Sequence, residues 1–362
     1  MDRKNKTRRN TNNRIGNRNS KSSDNKKRKK SRSAVVPAAV LLGIIFTVCM
    51  AFNIVREIGK NNLHKGAGVA KVYAESFYDK ATDIEYDGKI YKYNSDIITF
   101  LVMGIDSDEK VPEVDENTDY LMGGQSDALF LFVMNPHDKS LSVIAINRNS
   151  MTNIYMCDRA GNYRKTGWAQ ICVQHGYGDG RELSCTRTRD AVSELFYGLP
   201  INAYVSMQIG AVKYLNNAVG GIEVVVPSDF PEMGFVEGQT VELDDEQAYF
   251  FLRFRDTTKF NSASKRLEND KVYLKAFMEK VFEKTKKDIS CPIKLYNIVK
   301  DYVVTDITVD EMTYIASELL GYQMSELRFY QLEGEMVHGQ KYEEFNVDTE
   351  AAKRLILQVF YE

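Results

Sequence analysis

Between residues 97 and 148 three long apolar runs are separated by polar breaks. I-I-T-F-L-V-M-G-I, A-L-F-L-F-V-M and S-V-I-A-I-N have strand length and strand composition. They predict strands at about 97–105, 128–134 and 142–147. Asn135-Pro136-His137-Asp138-Lys139 reads as a turn, because proline presets one torsion and Asn and Asp favour turns. The second and third runs therefore form an antiparallel hairpin. Upstream, Asp87-Gly88 between alternating apolar residues predicts another.

The pattern changes after Arg148. Residues 148–183 are glycine-rich and read as irregular, with a short helix and a Gly-rich turn. Ser184 or Thr186 is placed to cap a helix running to about Tyr197, which Gly198-Leu199-Pro200 stops. Strands at 202–206 and 222–226 flank a helix at 208–219. Residues 237–243 read as an edge hairpin or loop, and Asp244 caps a helix at 246–252. A long helix follows from about Ala263 to Lys286, then two helices within 292–319 joined by a turn at 303–307. Strands at 327–332 and 345–348 precede a last helix capped by Thr349. Strands alternating with helices predict an α/β fold, an α/β/α sandwich around a central mixed sheet.

The charged residues fall at the ends of the apolar runs. Asp106 follows the first strand, Asp127 precedes the second, and Arg148 follows the third. Neighbouring strands would gather two carboxylates and a guanidinium, a set suited to a divalent cation and a phosphate. Arg253, Arg255 and Arg266 add three more guanidiniums. Arg253 and Arg255 are two apart, so extended backbone would point them the same way. Singly, each of these arginines reads as a surface salt bridge, and each aspartate as a turn or cap residue. Together they favour a diphosphate, which arginine forks bind bidentately and lysine does not.

Charge is distributed unevenly. Residues 1–33 hold 14 Lys/Arg against 2 Asp/Glu, which is +12, so the rest of a chain of net charge −2 carries −14. Ala34 to Val55 is 22 residues without a charge, enough for one transmembrane helix at ~20 residues. The basic residues before it predict a cytoplasmic N-terminus. The expected organisation is a basic tail at 1–33, a span at 34–55, a stalk and hairpin at 56–95, and an extracellular catalytic domain at 96–362, held at the cell membrane. The tail has no aromatic residue for base stacking, so anionic lipid rather than nucleic acid is its expected partner.

Other chemistries lack their residues. There is no G-x-S-x-G elbow, no P-loop Lys-Ser/Thr, no HExxH and no CxxC. His64, His137, His175 and His338 share no metal-binding spacing, and His175 reads as a loop-packing residue. Cys157, Cys172, Cys185 and Cys291 are expected outside the membrane. A Cys157–Cys172 or Cys172–Cys185 bridge and four free thiols both remain open.

The external part resembles the LytR-CpsA-Psr family of Gram-positive cell-wall proteins. The resemblance rests on F-L-V-M-G-I-D ending at Asp106, G-Q-S-D-A-L-F-L-F-V-M-N-P around Asp127, and V-I-A-I-N-R-N around Arg148. It continues in A-V-G-G-I-E-V-V-V-P, Arg253-Phe254-Arg255 and Lys265-Arg266-Leu267-Glu268. It covers the chain from about Tyr91 to the C-terminus.

The family moves an anionic glycopolymer from an undecaprenyl-pyrophosphate carrier to peptidoglycan, with Mg²⁺. The resemblance implies that Asp106 and Asp127 bind the metal and that Arg148, Arg253, Arg255 and Arg266 bind the pyrophosphate. It implies catalytic roles for Arg148 and Asp127, and an apolar pocket for the polyprenyl chain. The chain departs from the family at Gln125, where an arginine is usual and where the pyrophosphate would still lie. It departs again at Asn149, where an aspartate is usual, and at Asn269-Asp270, where Arg-Gln is usual. No general base stands out; Asp127 is the first candidate and Asp256 the second. The alternatives are a non-catalytic polyprenyl-phosphate binder or wall-assembly scaffold, and a membrane transcriptional regulator.

Overall fold

The computed structural model describes residues 47, 49–66, 84–323 and 327–362. The expected basic tail and most of the expected transmembrane helix lie outside the described residues. No helix among the described residues is long and apolar enough to cross a membrane.

Residues 49–65 are helical (α1). β1 (Ile84–Tyr86) and β2 (Lys89–Tyr91) form the expected hairpin, with Asp87 and Gly88 both at positive φ as its turn requires. Next come β3 (Ile98–Ile105), β4 (Ser126–Asn135) and β5 (Ser140–Ile146). β6 (Met151–Cys157) and β7 (Tyr163–Gln170) pair with each other, and α2 spans Glu182–Leu195. β8 (Ala203–Gln208), α3 (Ala211–Val219), β9 (Ile222–Val225), β10 (Thr240–Leu243) and α4 (Asp245–Arg253) precede the long α5 (Ser262–Lys287). The chain ends with α6 (Cys291–Val299), β11 (Val303–Thr305), α7 (Val309–Leu319), β12 (Leu327–Gln331), β13 (Gly334–His338), β14 (Glu343–Val347) and α8 (Thr349–Phe360).

Six strands form the central sheet in the order β11-β8-β3-β4-β5-β12. β3 runs antiparallel to β4, and β4 to β5, whereas β8 and β12 join in parallel. The sheet is mixed, as the sequence predicts. Period-two alternation divides its side chains between two apolar layers. Leu101, Met103 and Ile105 pack with Val192 of α2 and Ile356 of α8. Ile98 and Phe100 pack on the opposite face with Leu267 of α5 and Tyr314 of α7. Helices therefore cover both faces.

The structure corrects several expectations. Residues 151–170 form a hairpin, not irregular chain; β7 reads Y-R-K-T-G-W-A-Q and is largely exposed, so its pairing rests on backbone bonds that leave no apolar pattern. α2 begins earlier than expected because Asp179, rather than Ser184 or Thr186, accepts from the amides of Arg181, Leu183 and Ser184. Asp348, not Thr349, caps α8. The turn at 303–307 holds the short edge strand β11, and β13 is an exposed strand the pattern missed. Asp244 caps α4 as expected, in a capping box with Gln247. Cys157, Cys172, Cys185 and Cys291 are buried and free, so neither expected bridge forms.

Candidate functional site

The site begins at an irregularity between β3 and β4. Gly104 pairs with Ala128 but Ile105 pairs with Ser126, so Asp127 is the extra residue of a bulge. A bulge re-aims a side chain. Here the Asp127 carboxylate meets two arginines. Arg266, near the start of α5, donates from Nη1 to Asp127 Oδ2 at 2.8 Å and from Nη2 to the Asp127 carbonyl at 2.8 Å. Arg148, just past β5, brings Nη2 to 2.9 Å from Asp127 Oδ1 and also donates to Gln125 Oε1. Arg266 is buried; burial opposes its charge, but Asp127, Asp270 and Asp106 outweigh it and raise its pKa.

Asp106 leaves β3 beside this pair, its amide donating to the Gln125 carbonyl at 3.1 Å. It faces Arg253, whose Nε lies 3.6 Å from Asp106 Oδ1. Arg253 Nη1 also donates to Asp108 Oδ2 at 2.7 Å, and the Tyr249 hydroxyl donates to Asp108 Oδ1 at 2.6 Å.

Arg255 lies elsewhere. Arg253 is the last residue of α4 rather than part of an extended run, and the two arginines take different partners instead of converging as expected. Arg255 Nε donates to Ser262 Oγ at 2.9 Å, and its Nη2 lies 3.7 Å from Glu343 Oε2. Burial lowers its pKa, and the positive charges of Arg148 and Arg266 lower it further, which marks it as part of the same cationic group.

Two openings meet at these residues. One is an apolar cavity of about 250 Å³ between sheet and helices, lined by Val102, Phe130, Met207, Leu215, Leu274 and Phe277, with Asp106, Asp127, Arg253 and Arg266 also on its wall. The other is a polar groove of about 750 Å³ onto which Gln125, Arg148 and Arg255 open. The structure thus gathers Gln125, Asp127, Arg148 and Arg266 in direct contact, sets Asp106 with Arg253 on the same cavity, and places Arg255 on the groove side.

Four site residues escaped the sequence reading in these roles: Asp108, Tyr249, Asp270 and Glu343. Asp270 stands one helical turn beyond Arg266, a spacing that marks the same face and was the available signal. It lines the cavity and is buried. Burial pushes its pKa up to about 7, against the pull of Arg266. His175 is a packing residue as expected, fully buried with Nδ1 2.7 Å from the Gly123 carbonyl.

Among the described residues no group of three or more His, Cys, Asp or Glu side chains is placed to hold a metal ion. A hard cation needs only one or two carboxylates when substrate phosphates supply other ligands. Asp127 Oδ1 fits that role: it is buried and within ion-pair distance of Arg148, yet makes no hydrogen bond.

Arginine forks around a strand-end carboxylate, on the wall of an apolar cavity in a mixed α/β sheet, set fixed positive charge beside an apolar recess. The chain belongs to the LytR_cpsA_psr family, whose model matches residues 65–359. It is 29% identical over 227 residues to a polyisoprenyl-teichoic acid–peptidoglycan teichoic acid transferase TagU of Enterococcus faecalis, across 62% of this chain and 66% of that one. A Bacillus cereus protein of the same name is 28% identical over 135 residues, 36% of this chain and 39% of its own. The chain thus spans just under two thirds of the first relative and well under half of the second. Its fold matches that of Bacillus subtilis TagV, with a TM-score of 0.53 at 22% identity over 72% of this chain and 96% of that one. It also matches a structure described as TagT bound to LI-WTA, with a TM-score of 0.54 at 18% identity over 81% of this chain and 95% of that one.

Proposed function

We propose that the chain is a phosphotransferase that moves an anionic glycopolymer from an undecaprenyl-pyrophosphate carrier to peptidoglycan. One observation carries the reading: the two arginines that clamp Asp127 are divided between two openings, Arg266 lining the apolar cavity and Arg148 the groove. A lipid-linked glycan diphosphate has the same three parts in the same order. The names of the relatives point the same way.

The chain's own residues supply positioning and charge, which is most of what phosphoryl transfer needs. Arg253 and Arg266 would hold the phosphate nearer the lipid, Arg148 and Arg255 the phosphate nearer the sugar. Gln125 holds Arg148 in place. A peptidoglycan hydroxyl forms a bond to the sugar-side phosphorus while the bond from that phosphorus to the bridging oxygen breaks. The lipid phosphate leaves with the electron pair, and the guanidiniums stabilise its charge. The hydroxyl proton is released to solvent through the groove beside Arg148 and Arg255. Asp106 and Asp127 would hold Mg²⁺, which neutralises diphosphate charge when bound.

The uncharged run at 34–55 would anchor the chain in the cell membrane with residues 1–33 in the cytoplasm and the folded part outside, facing its lipid-borne donor. The neutral residues Gln125, Asn149 and Asn269 favour one rival, a non-catalytic polyprenyl-phosphate-binding scaffold. Turnover separates the two. Arg148→Ala in the purified full chain should slow Mg²⁺-dependent transfer from a lipid-pyrophosphate donor about 10²–10³-fold. An unchanged rate, or lipid binding without any turnover in the unaltered protein, would overturn the transferase reading.

A further inference from the structure

We propose that the groove beside Arg148 and Arg255 is the subsite for the acceptor glycan, an inference that rests on the transferase reading. In-line displacement places the attacking hydroxyl opposite the leaving oxygen. The leaving group is the lipid phosphate, whose chain needs the apolar cavity. The acceptor must then arrive from the other side of the guanidiniums, and the groove lies there.

Its lining has the chemistry of a sugar site. Tyr342 is 72% exposed and Phe260 is 46% exposed, unusual values for large rings that line a recess. Phe260 is steadied by His338, whose ring centroid lies 4.3 Å away. A ring held open to solvent offers a flat apolar face to the C–H face of a pyranose. Gln170 and Asn149 line the same groove. Gln170 Nε2 donates to the Glu343 carbonyl at 2.6 Å and to Asn149 Oδ1 at 3.2 Å, which fixes both amides in orientation. Fixed amides beside flat rings suit N-acetylated hexoses, which present amide and hydroxyl groups at their edges.

The groove is also cationic. Lys259 and Lys341 add to Arg148 and Arg255 on its lining, where Lys259 pairs with Asp256, Arg148 with Asp127 and Arg255 with Glu343, leaving Lys341 as the added charge. A glycan bearing carboxylates, as peptide-substituted wall glycan does, is drawn to such a surface. The exposed hairpin β13–β14 supplies much of this wall, so its polar, pattern-free sequence acquires a use as a docking edge.

The test uses the full chain in detergent with two probes: a soluble, uncross-linked peptidoglycan oligomer and a short-chain polyprenyl diphosphate. Tyr342→Ala and, separately, Phe260→Ala should each weaken oligomer binding about tenfold and leave polyprenyl diphosphate binding unchanged. Oligomer binding that is absent in the parent, or unchanged from the parent in both variants, overturns the inference while lipid binding keeps the transferase reading alive. Oligomer binding without lipid binding does the reverse. Variants that raise KM for the lipid-linked polymer and spare the oligomer would assign the groove to the donor's sugars and overturn the proposal.

Discussion

Arg266 grips Asp127 twice, once through the carboxylate and once through the main-chain carbonyl, each at 2.8 Å. The guanidinium therefore fixes both the charge and the backbone of the bulge that presents it. A lysine has one ammonium and cannot make the two bonds in a fixed plane. Arg266→Ala would leave a partly buried carboxylate with Arg148 alone. We expect a loss on the order of 3–5 kcal/mol of stability. Arg266→Lys should recover part of it. Urea denaturation of the three proteins would show this ranking, and an Arg266→Ala variant as stable as the parent would refute it.

Arg253 should separate binding from stability. Its side chain is 43% exposed, and its partners Asp106 and Asp108 are about half exposed. Such pairs contribute about 0–1 kcal/mol. Arg253→Ala should hold its denaturation midpoint close to the parent's while transfer slows about 10²-fold or more. An equal loss of stability and rate would make Arg253 a structural residue instead.

The cavity predicts chain-length selection. Leu274 and Phe277 lie on its wall, reached from α5. Leu274→Trp narrows the space while leaving every charged residue in place. KM for a long polyprenyl donor should rise about tenfold relative to a short one, within the range that a misfit in an apolar pocket commands. Competition kinetics between two donor lengths measure it, and parallel changes for both lengths would remove the lipid from the cavity.

The sheet was legible because it is buried on both faces. Continuous apolar runs at β3, β4 and β5 leave few alternatives, and Asn135-Pro136 between two of them dictates a hairpin. What was not legible shares one trait, exposure. β7 and β13 are polar strands whose register is set by backbone bonds and by what they pack against, and composition does not record either. The site divides in the same way. Asp106, Asp127 and Arg148 stand at the ends of readable strands. The separation of Arg253 from Arg255 depends on α4 running through Arg253 before the chain extends, and helix ends are where sequence boundaries are least sharp. Asp108 sits in an acidic loop, where nothing in its neighbours distinguishes it from Glu109.

Asp270 should give the protein a distinctive pH dependence. Its carboxyl is pushed from 3.8 up to about 7, chiefly by burial. The folded protein therefore binds a proton that the unfolded chain has already lost between these values. The stabilisation is fully present below about pH 3.8 and disappears as pH rises through about 7. Asp270→Asn removes the titrating group. The variant should gain on the parent as pH rises from 5 to 8, by on the order of a few kcal/mol at the top of the window. Melting curves at several pH values in a chelator would test this. A constant difference across the window would mean that Asp270 ionises normally.

Gly59 allows a last prediction, whose sign runs against helix propensity. In a helix interior Ala is better than Gly by about 1 kcal/mol. Yet a Cβ at Gly59 would sit 2.2 Å from the Asp310 carbonyl oxygen at the start of α7, a main-chain atom with little room to move. The same helix buries Leu63 against the layer holding Phe100 and Phe132. Asn62 Nδ2 donates to Asp310 Oδ2 at 3.0 Å, and Arg56 pairs with Glu318, which Lys139 Nζ reaches at 2.7 Å. These contacts make the end of α1, at the start of the stretch read from sequence as a stalk, part of the folded body. Gly59→Ala should therefore destabilise the protein and raise amide exchange in residues 56–65. If the helix leads from a membrane anchor, the variant should also lose more activity on a membrane-embedded donor than on a short soluble one. A stabilised variant with unchanged exchange would show that α1 does not dock through Gly59.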